Sequence, residues 1–498
     1  VSLKKLAGQT MWYGLSSIFA RFLNYLLTPY LTAHLIAADY GEMSLVYAYI
    51  PFLNVLFTYG METAFFRFSN KEEDPKNVFN TISSSILLST GLLTAALLLS
   101  RDVLADLFRL TEHPEFITWA AWIIALDTLT TIPYAKLRND GRPAKYASIR
   151  ILGILINIGL VFFFYSLLPG LAQHQPDSLW AEMYDPHLGA GYVIIANLAQ
   201  SALTFLLLAP EFFSARFSIN KKLWTQLIVY SLPIMIAGFA GMINETFDRI
   251  MLNWLAPVGS ETAAKEQVGI YSACYKLSIL ITLFIQAFRM GAEPFFFKQA
   301  AGEDAPKTYA RVMNYFVITI CVMFLVVTLY LDLWKEFIRN REMWTGLKIV
   351  PVLLIANMCL GVYYNLSIWY KLSHKTSAGA IITLIGAAVT LLINFLFIPT
   401  FGYVACAWAT LACYGSMMLI SYLWGQKVYP VPYQTKRLLG YFGVMLLVYA
   451  GYTFIADRLE HTIWRLVAGT FFLLLYLIFI GKQERENLRR IPVIRRLV

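Results

Sequence analysis

The sequence predicts an all-α polytopic membrane protein with about 14 transmembrane helices, arranged as two parallel-repeat six-helix lobes around a central cavity plus two C-terminal helices. Composition, the number of span-length apolar stretches and a duplicated octet predict it. Of 498 residues, 58% are hydrophobic and 14% charged, with a mean hydropathy of +0.59; a soluble domain carries roughly 25% charged residues. The octet Gly60-Met61-Glu62-Thr63-Ala64-Phe65-Phe66-Arg67 returns as Gly291-Ala292-Glu293-Pro294-Phe295-Phe296-Phe297-Lys298, identical at four of eight positions and ending on Arg against Lys. Duplication of this kind in a membrane chain points to a transporter.

A helix needs about 20 mostly apolar residues to cross a bilayer. Stretches of that kind begin near residues 10, 43, 79, 116, 147, 188, 225, 267, 312, 347, 378, 402, 438 and 462. The octets close the second and eighth of them, and Gly41, which opens the second, is matched by Gly269 in the eighth. An even number of crossings separates the copies, so both halves run in the same direction, related by an axis along the bilayer normal. The lobes are residues 1–215 and 216–430, joined by the polar link Glu211 to Lys222; residues 431–498 supply two further helices and a basic tail. The first apolar stretch is too long for a cleaved signal and carries Arg21, so it stays as a span.

Loop charge sets the orientation. On this map 28 of the 40 Lys and Arg fall on the side of the termini, 9 on the other, and three (Arg21, Arg249 and Lys276) within spans. Lys and Arg concentrate in cytoplasmic loops, which puts both termini in the cytoplasm. The segment around Lys335, Arg339, Arg341 and Lys348 is the exception. All tryptophans but Trp180 fall at span ends, as an interfacial aromatic belt requires. The net charge of +10 and the tail from Lys482 to Arg496 suit anionic lipid headgroups rather than nucleic acid. The five cysteines lie inside predicted helices at no metal-ligand spacing, and the six histidines do not cluster, so neither a disulfide framework nor a metal site is expected.

Charge inside a span costs about 2.5 to 3.5 kcal/mol per residue on insertion scales and marks function. Arg21 lies nine residues beyond Trp12, about 14 Å at 1.5 Å per residue and so near mid-membrane. Ser17, Asn24, Tyr25 and Thr28 share its helix face, and Pro29 can kink the same helix. The stripe suits the lining of a substrate cavity; the alternative is an Arg21–Asp127 ion pair. Asp127, in Asp127-Thr128-Leu129-Thr130-Thr131, has a carboxylate and hydroxyls that can hold Na⁺ or carry a proton. In the seventh span, Glu245 and Arg249 are four residues apart, the spacing of an intrahelical ion pair, with Asn244 and Asp248 on the neighbouring stripe. Lys276 in the eighth span either takes Asp248 as partner or faces the cavity. At the inner ends, Glu62, Arg67, Glu293 and Lys298 of the two octets form a candidate cytoplasmic gate.

The chain resembles the polysaccharide transporters of the multidrug/oligosaccharidyl-lipid/polysaccharide exporter superfamily, the O-antigen-type flippases. The residues that carry the resemblance are Asp39-Tyr40-Gly41-Glu42, Gly60 to Phe68, Ile132 to Arg138 ahead of Gly141-Arg142, Ser231-Leu232-Pro233, Phe247 to Leu252 and Val268 to Ser272. The resemblance implies a bacterial inner-membrane protein without catalysis or cofactor that moves an undecaprenyl-diphosphate-linked oligosaccharide to the periplasmic leaflet. It also implies membrane lipid as surroundings and contact with polysaccharide-assembly proteins. Positive charge in the central cavity, implied by the same resemblance, falls by position on Arg21, with Arg249 and Lys276. A peptidoglycan-precursor flippase and a multidrug/cation antiporter share this plan and stay open as alternatives. A membrane glycosyltransferase, polymerase or ligase does not fit, because the longest outer loop, Leu171 to His187, has no Lys or Arg and only scattered acids.

Overall fold

The computed structural model describes residues 18, 19, 21–69, 74–300, 302 and 304–485, and among them every regular element is helical. Among the described residues, thirteen helices are long and apolar enough to cross a membrane. The expected fourteenth, the first span, runs largely over residues outside the described ones; its described part is helical over residues 21–26. A turn at Leu27 then precedes α1 (Thr28–His34), where Pro29 occupies the first helical turn. Proline is tolerated there because the N–H it lacks would be unpaired anyway.

The remaining principal helices are α2 (Ala37–Thr58), α3 (Met61–Ser69), α4 (Pro75–Leu99), α5 (Glu115–Asn139), α6 (Pro143–Phe162), α7 (Gly191–Phe212), α8 (Lys221–Leu255) and α9 (Glu261–Gln299). They continue with α10 (Ala305–Thr328), α11 (Val350–Leu366), α12 (Thr376–Phe401), α13 (Tyr403–Val428), α14 (Thr435–Ala456) and α15 (Thr462–Gln483). The chain forms two compact units, one of Val1–Ala273 with Ala387–Cys406 and one of Cys274–Gly386 with Ala407–Val498. In the first unit α5 packs on α7 and α4, α2 on α8, and α6 on α7. In the second, α10 packs on α11 and α14, and α14 on α15.

The octets sit in equivalent local frames, each within its own unit. Phe65, buried, packs against Phe79 of α4, and Phe296, also buried, against Tyr309 of α10. In both copies the contact joins the octet helix to the next helix along the chain. The copies differ at their first glycine. Gly60 has φ +75° and ends α2 in a left-handed turn, with the Ser231 carbonyl oxygen 2.8 Å from where a Cβ would stand. Gly291 lies within uninterrupted α9, with open space around that position.

The two glycines therefore answer differently to Ala. Gly60→Ala places a side chain in left-handed backbone at a cost of about 1–3 kcal/mol and lowers the thermal midpoint in detergent. Gly291→Ala removes a helix-interior glycine, worth about 0.5–1 kcal/mol, and leaves the midpoint unchanged or raised.

Candidate functional site

On the first span, Arg21 and Asn24 are exposed, while Tyr25 and Thr28 are buried. The expected polar stripe is therefore split between an exposed part and a packed part. Arg21 makes no ion pair among the described residues. The alternative pairing with Asp127 is not formed. Ser17 lies outside the described residues.

Asp127 belongs instead to a polar seam through α2, α5, α6 and α7 of the first unit. Its carboxylate faces Ser201 of α7 and Arg150 of α6, and its backbone carbonyl accepts from Thr130 and Thr131 hydroxyls at 2.9 and 3.1 Å. Asn197 donates to the Tyr47 hydroxyl at 3.0 Å, Asn157 to Gln200 at 2.9 Å, and Arg150 to the Tyr146 hydroxyl at 2.5 Å. The seam was legible in part. Tyr146, Arg150, Gly153 and Asn157 recur at intervals of four, three and four on α6, and Asn197, Gln200, Ser201 and Thr204 share one face of α7. A map of the spans that assigns Arg150 to a basic loop hides it.

On α8 the ion pair is Asp248 with its neighbour Arg249, at 3.0 Å, and the expected Glu245–Arg249 carboxylate pair does not form. Glu245 is exposed and gives Arg249 only its backbone carbonyl, at 3.1 Å. Asp248 is buried, where it accepts from the Arg249 amide at 2.8 Å and from the Tyr271 hydroxyl of α9. The Arg249 guanidinium also lies 5.4 Å from the centre of the Tyr271 ring. Asn244 is buried and accepts from the Thr390 hydroxyl at 3.4 Å. Lys276 is half-buried on α9.

The octet acids are neutralised within their own units, in parallel fashion. Glu62 pairs with Arg138 at the end of α5, at 2.8 Å. Glu293 pairs with Lys371 in the short helix Ile368–Leu372 after α11, at 2.6 Å, and with Arg289 at 3.0 Å. In each half the acid on the second helix takes a cation from the fourth. Arg67 is exposed and lies 4.3 Å from the centre of the Tyr230 ring of α8; Lys298 is exposed. Arg289 has no charged counterpart in the first octet's frame, where the matching residue is Thr58. It sits 4.7 Å from the Tyr364 ring centre in a cleft also lined by Asn365 and Lys371.

Besides Arg150, two more intrahelical cations were missed because loop boundaries were drawn too generously. Lys265, placed in an outer loop, lies in α9 and pairs with Glu42 at 2.5 Å, both side chains buried. Arg289, placed in an inner loop, is in the same helix. Among the described residues no group of three or more His, Cys, Asp or Glu could hold a metal ion, and all five cysteines are free thiols.

The geometry so far is that of a multi-helix membrane protein that pairs charges between helices, as Glu42 with Lys265 and Glu293 with Lys371, and within one helix, as Asp248 with Arg249. The model of the family described as "Polysaccharide biosynthesis protein" matches residues 6–300, and the chain belongs to that family. Its fold is similar to that of the lipid II flippase MurJ in an inward closed conformation, at a TM-score of 0.68 and 16% identity over 96% of this chain and 99% of that one. It is also similar to an inward-facing multidrug resistance MATE family transporter, at 0.61 and 13% identity over 84% and 97% of the two chains. A Vibrio cholerae MATE transporter matches at 0.55 and 16% identity over 86% and 97%. No curated protein sequence matches significantly.

Replacing Arg249 by Met strands Asp248 as a buried carboxylate. Such a loss costs about 3–5 kcal/mol, whereas replacing both partners by apolar residues costs far less. Thermal unfolding in detergent is expected to place Arg249→Met well below the parent, with Asp248→Leu/Arg249→Met between them.

Proposed function

We propose that the protein is a flippase that carries an undecaprenyl-diphosphate-linked oligosaccharide from the cytoplasmic to the periplasmic leaflet by alternating access, in the biosynthesis of a cell-surface polysaccharide. The observation that carries the reading is a fold shared over 96% of the chain with a protein titled a lipid II flippase, in a chain of the polysaccharide biosynthesis family. A peptidoglycan precursor is the alternative cargo with the same headgroup chemistry. The MATE transporters reported above align over 84% and 86% of this chain, less than the lipid II flippase, which favours a lipid-linked cargo over a soluble cation.

The working arrangement is two six-helix lobes, residues 1–215 and 216–430, around a passage, with residues 431–498 alongside and both termini in the cytoplasm of an inner membrane. Arg21, with Asn24 and Tyr25, receives the diphosphate. A diphosphate crosses hydrocarbon only if its lost hydration is replaced, and guanidinium groups do so through charge-assisted hydrogen bonds. Arg249 and Lys276 add positive potential, Arg249 already engaged by Asp248. Asp127 and Glu245 are the acids available to couple transport to Na⁺ or H⁺, and Glu62, Arg67, Glu293 and Lys298 form the cytoplasmic gate. Moving roughly two negative charges outward gains about 4.6 kcal/mol per 100 mV with the cell interior negative. No bond in the cargo is made or broken on this reading. Polysaccharide-assembly proteins receive the product.

The test is reconstitution in liposomes with lipid-diphosphate oligosaccharide, reading arrival of glycan at the outer face. Arg21→Ala removes hydrogen bonds to a charged group, each worth about 1.5–3 kcal/mol, so translocation falls about tenfold or more while the protein stays monodisperse. Unchanged translocation in folded Arg21→Ala rejects that role. Cation-driven dye efflux without lipid movement replaces the flippase reading by an antiporter.

A further inference from the structure

We propose that the link between α7 and α8, residues 213–220, is a strap that docks anionic lipid of the inner leaflet, through Arg216, Lys221 and Lys222 beside the exposed rings of Phe213 and Phe217. The inference rests on the inner placement of this link in the topology proposed above. All of its residues lie within the first compact unit.

The strap is fixed to α4 by its backbone. The Arg216 amide donates to the Asn80 side-chain oxygen at 2.9 Å, the Ser218 amide to the Ser84 hydroxyl at 3.0 Å and the Asn220 amide to the Thr81 hydroxyl at 3.3 Å. Every second amide is engaged, the period of extended chain. Beyond them the Trp224 indole donates to the Ser85 hydroxyl at 2.8 Å, and at the other end Lys136 of α5 donates to the Ser214 hydroxyl at 3.1 Å. Thr81, Ser84 and Ser85 are buried.

A loop in bulk water finds its acceptors in water; acceptors from a neighbouring helix are needed where water is scarce. The depth agrees. Asn80 to Ser85 lie about 8 to 15 Å along α4 from its start at Pro75, in a helix about 38 Å long against a hydrocarbon core of about 30 Å. The strap therefore runs at the boundary of the hydrocarbon rather than out in the cytoplasm.

The side chains left uncovered there are apolar and basic. Phe213 is 72% exposed and Phe217 68%, and Ile219 and Trp224 are exposed as well. Arg216, Lys221 and Lys222 are exposed, and none of them makes an ion pair among the described residues. No Asp or Glu occurs from residue 212 to residue 244. Glu211, just before the strap, is buried and already held by Lys145 at 2.6 Å and Arg142 at 3.3 Å.

Lys221 and Lys222 do not serve their own helix. They stand in the first turn of α8, which has no acid, and there the positive end of the helix dipole disfavours a cation. The same dipole adds to the potential that attracts an anion. Aromatic rings at headgroup level among basic side chains are what an anionic bilayer surface takes up. A soluble phosphate would use the cations but leave both phenyl rings in water. The exposed rings therefore select a lipid headgroup over a free anion.

The test uses the whole chain with its five cysteines replaced by Ala and Phe217→Cys carrying a bimane label, which keeps Phe213 and the three cations in place. The protein is placed in nanodiscs of equal parts phosphatidylcholine and phosphatidylglycerol, with one lipid or the other brominated in its acyl chains to quench the label on contact. Each cation beside an anionic surface raises local anionic lipid by about fivefold, so brominated phosphatidylglycerol is expected to quench about twofold or more above brominated phosphatidylcholine. Arg216→Gln/Lys221→Gln/Lys222→Gln should equalise the two lipids while leaving the label quenched, a pattern that a misplaced strap would not give. Equal quenching in the parent, or none by either lipid, overturns the docking. So does loss of the preference on adding inorganic phosphate, which marks a soluble-anion site, or on adding a trace of polyprenyl diphosphate, which marks a cargo site. The nanodiscs otherwise hold no cargo, so equal quenching leaves the transport reading standing, while the expected quenching in a protein that moves no lipid-diphosphate oligosaccharide overturns the transport reading alone.

Discussion

A charge within a membrane-length helix must find a partner or water, and the charged residues of this protein follow that constraint. Glu42 with Lys265, Asp248 with Arg249, and Glu293 with Lys371 join carboxylate to cation inside or at the ends of long apolar helices. In the first two the carboxylate is buried, so each pair is secured by what else it touches: Asp248 has the Tyr271 hydroxyl and the Arg249 amide. Against this background Arg21 is unusual. It is exposed on the first span and has no ion-pair partner among the described residues.

The duplication reaches further into the structure than the octet that disclosed it. The second helix of each half offers an acid to the fourth and an aromatic ring to the third, through Glu62 to Arg138 and Phe65 to Phe79 in one half, and Glu293 to Lys371 and Phe296 to Tyr309 in the other. Departures from the repeat are then informative. Gly60 turns the chain where Gly291 lies in continuous helix. Arg289 stands where the first half has Thr58, and Lys265 with Glu42 where the twin position holds Ala37 and Ile270.

Much of the fold was legible because the bilayer imposes length and apolarity on each helix, so the spans after the first fall where composition places them. The charge network was less legible, for two physical reasons. Helices such as α9, at 39 residues, extend well beyond the hydrocarbon, and a map built on windows of about 20 residues assigned Lys265, Arg289 and Arg150 to loops. Spacing along one helix also shows which side chains can meet but not which of them turns inward. Glu245 has the right interval from Arg249, yet it is exposed, while the adjacent Asp248 is buried against Tyr271 and takes the pair. Partners more than two hundred residues apart, as in Glu42 and Lys265, leave no local signal at all.

On the transport reading proposed above, this chain keeps intramembrane positive charge for a phosphorylated lipid head. Native mass spectrometry of the purified protein, offered equal amounts of a polyprenyl-diphosphate oligosaccharide and the same glycan on a neutral polyprenol, measures it directly. Selective retention of the diphosphate lipid, displaced by added pyrophosphate and weakened in Arg21→Gln, is the predicted result. Equal retention of the neutral lipid would contradict a role for that charge in holding the diphosphate.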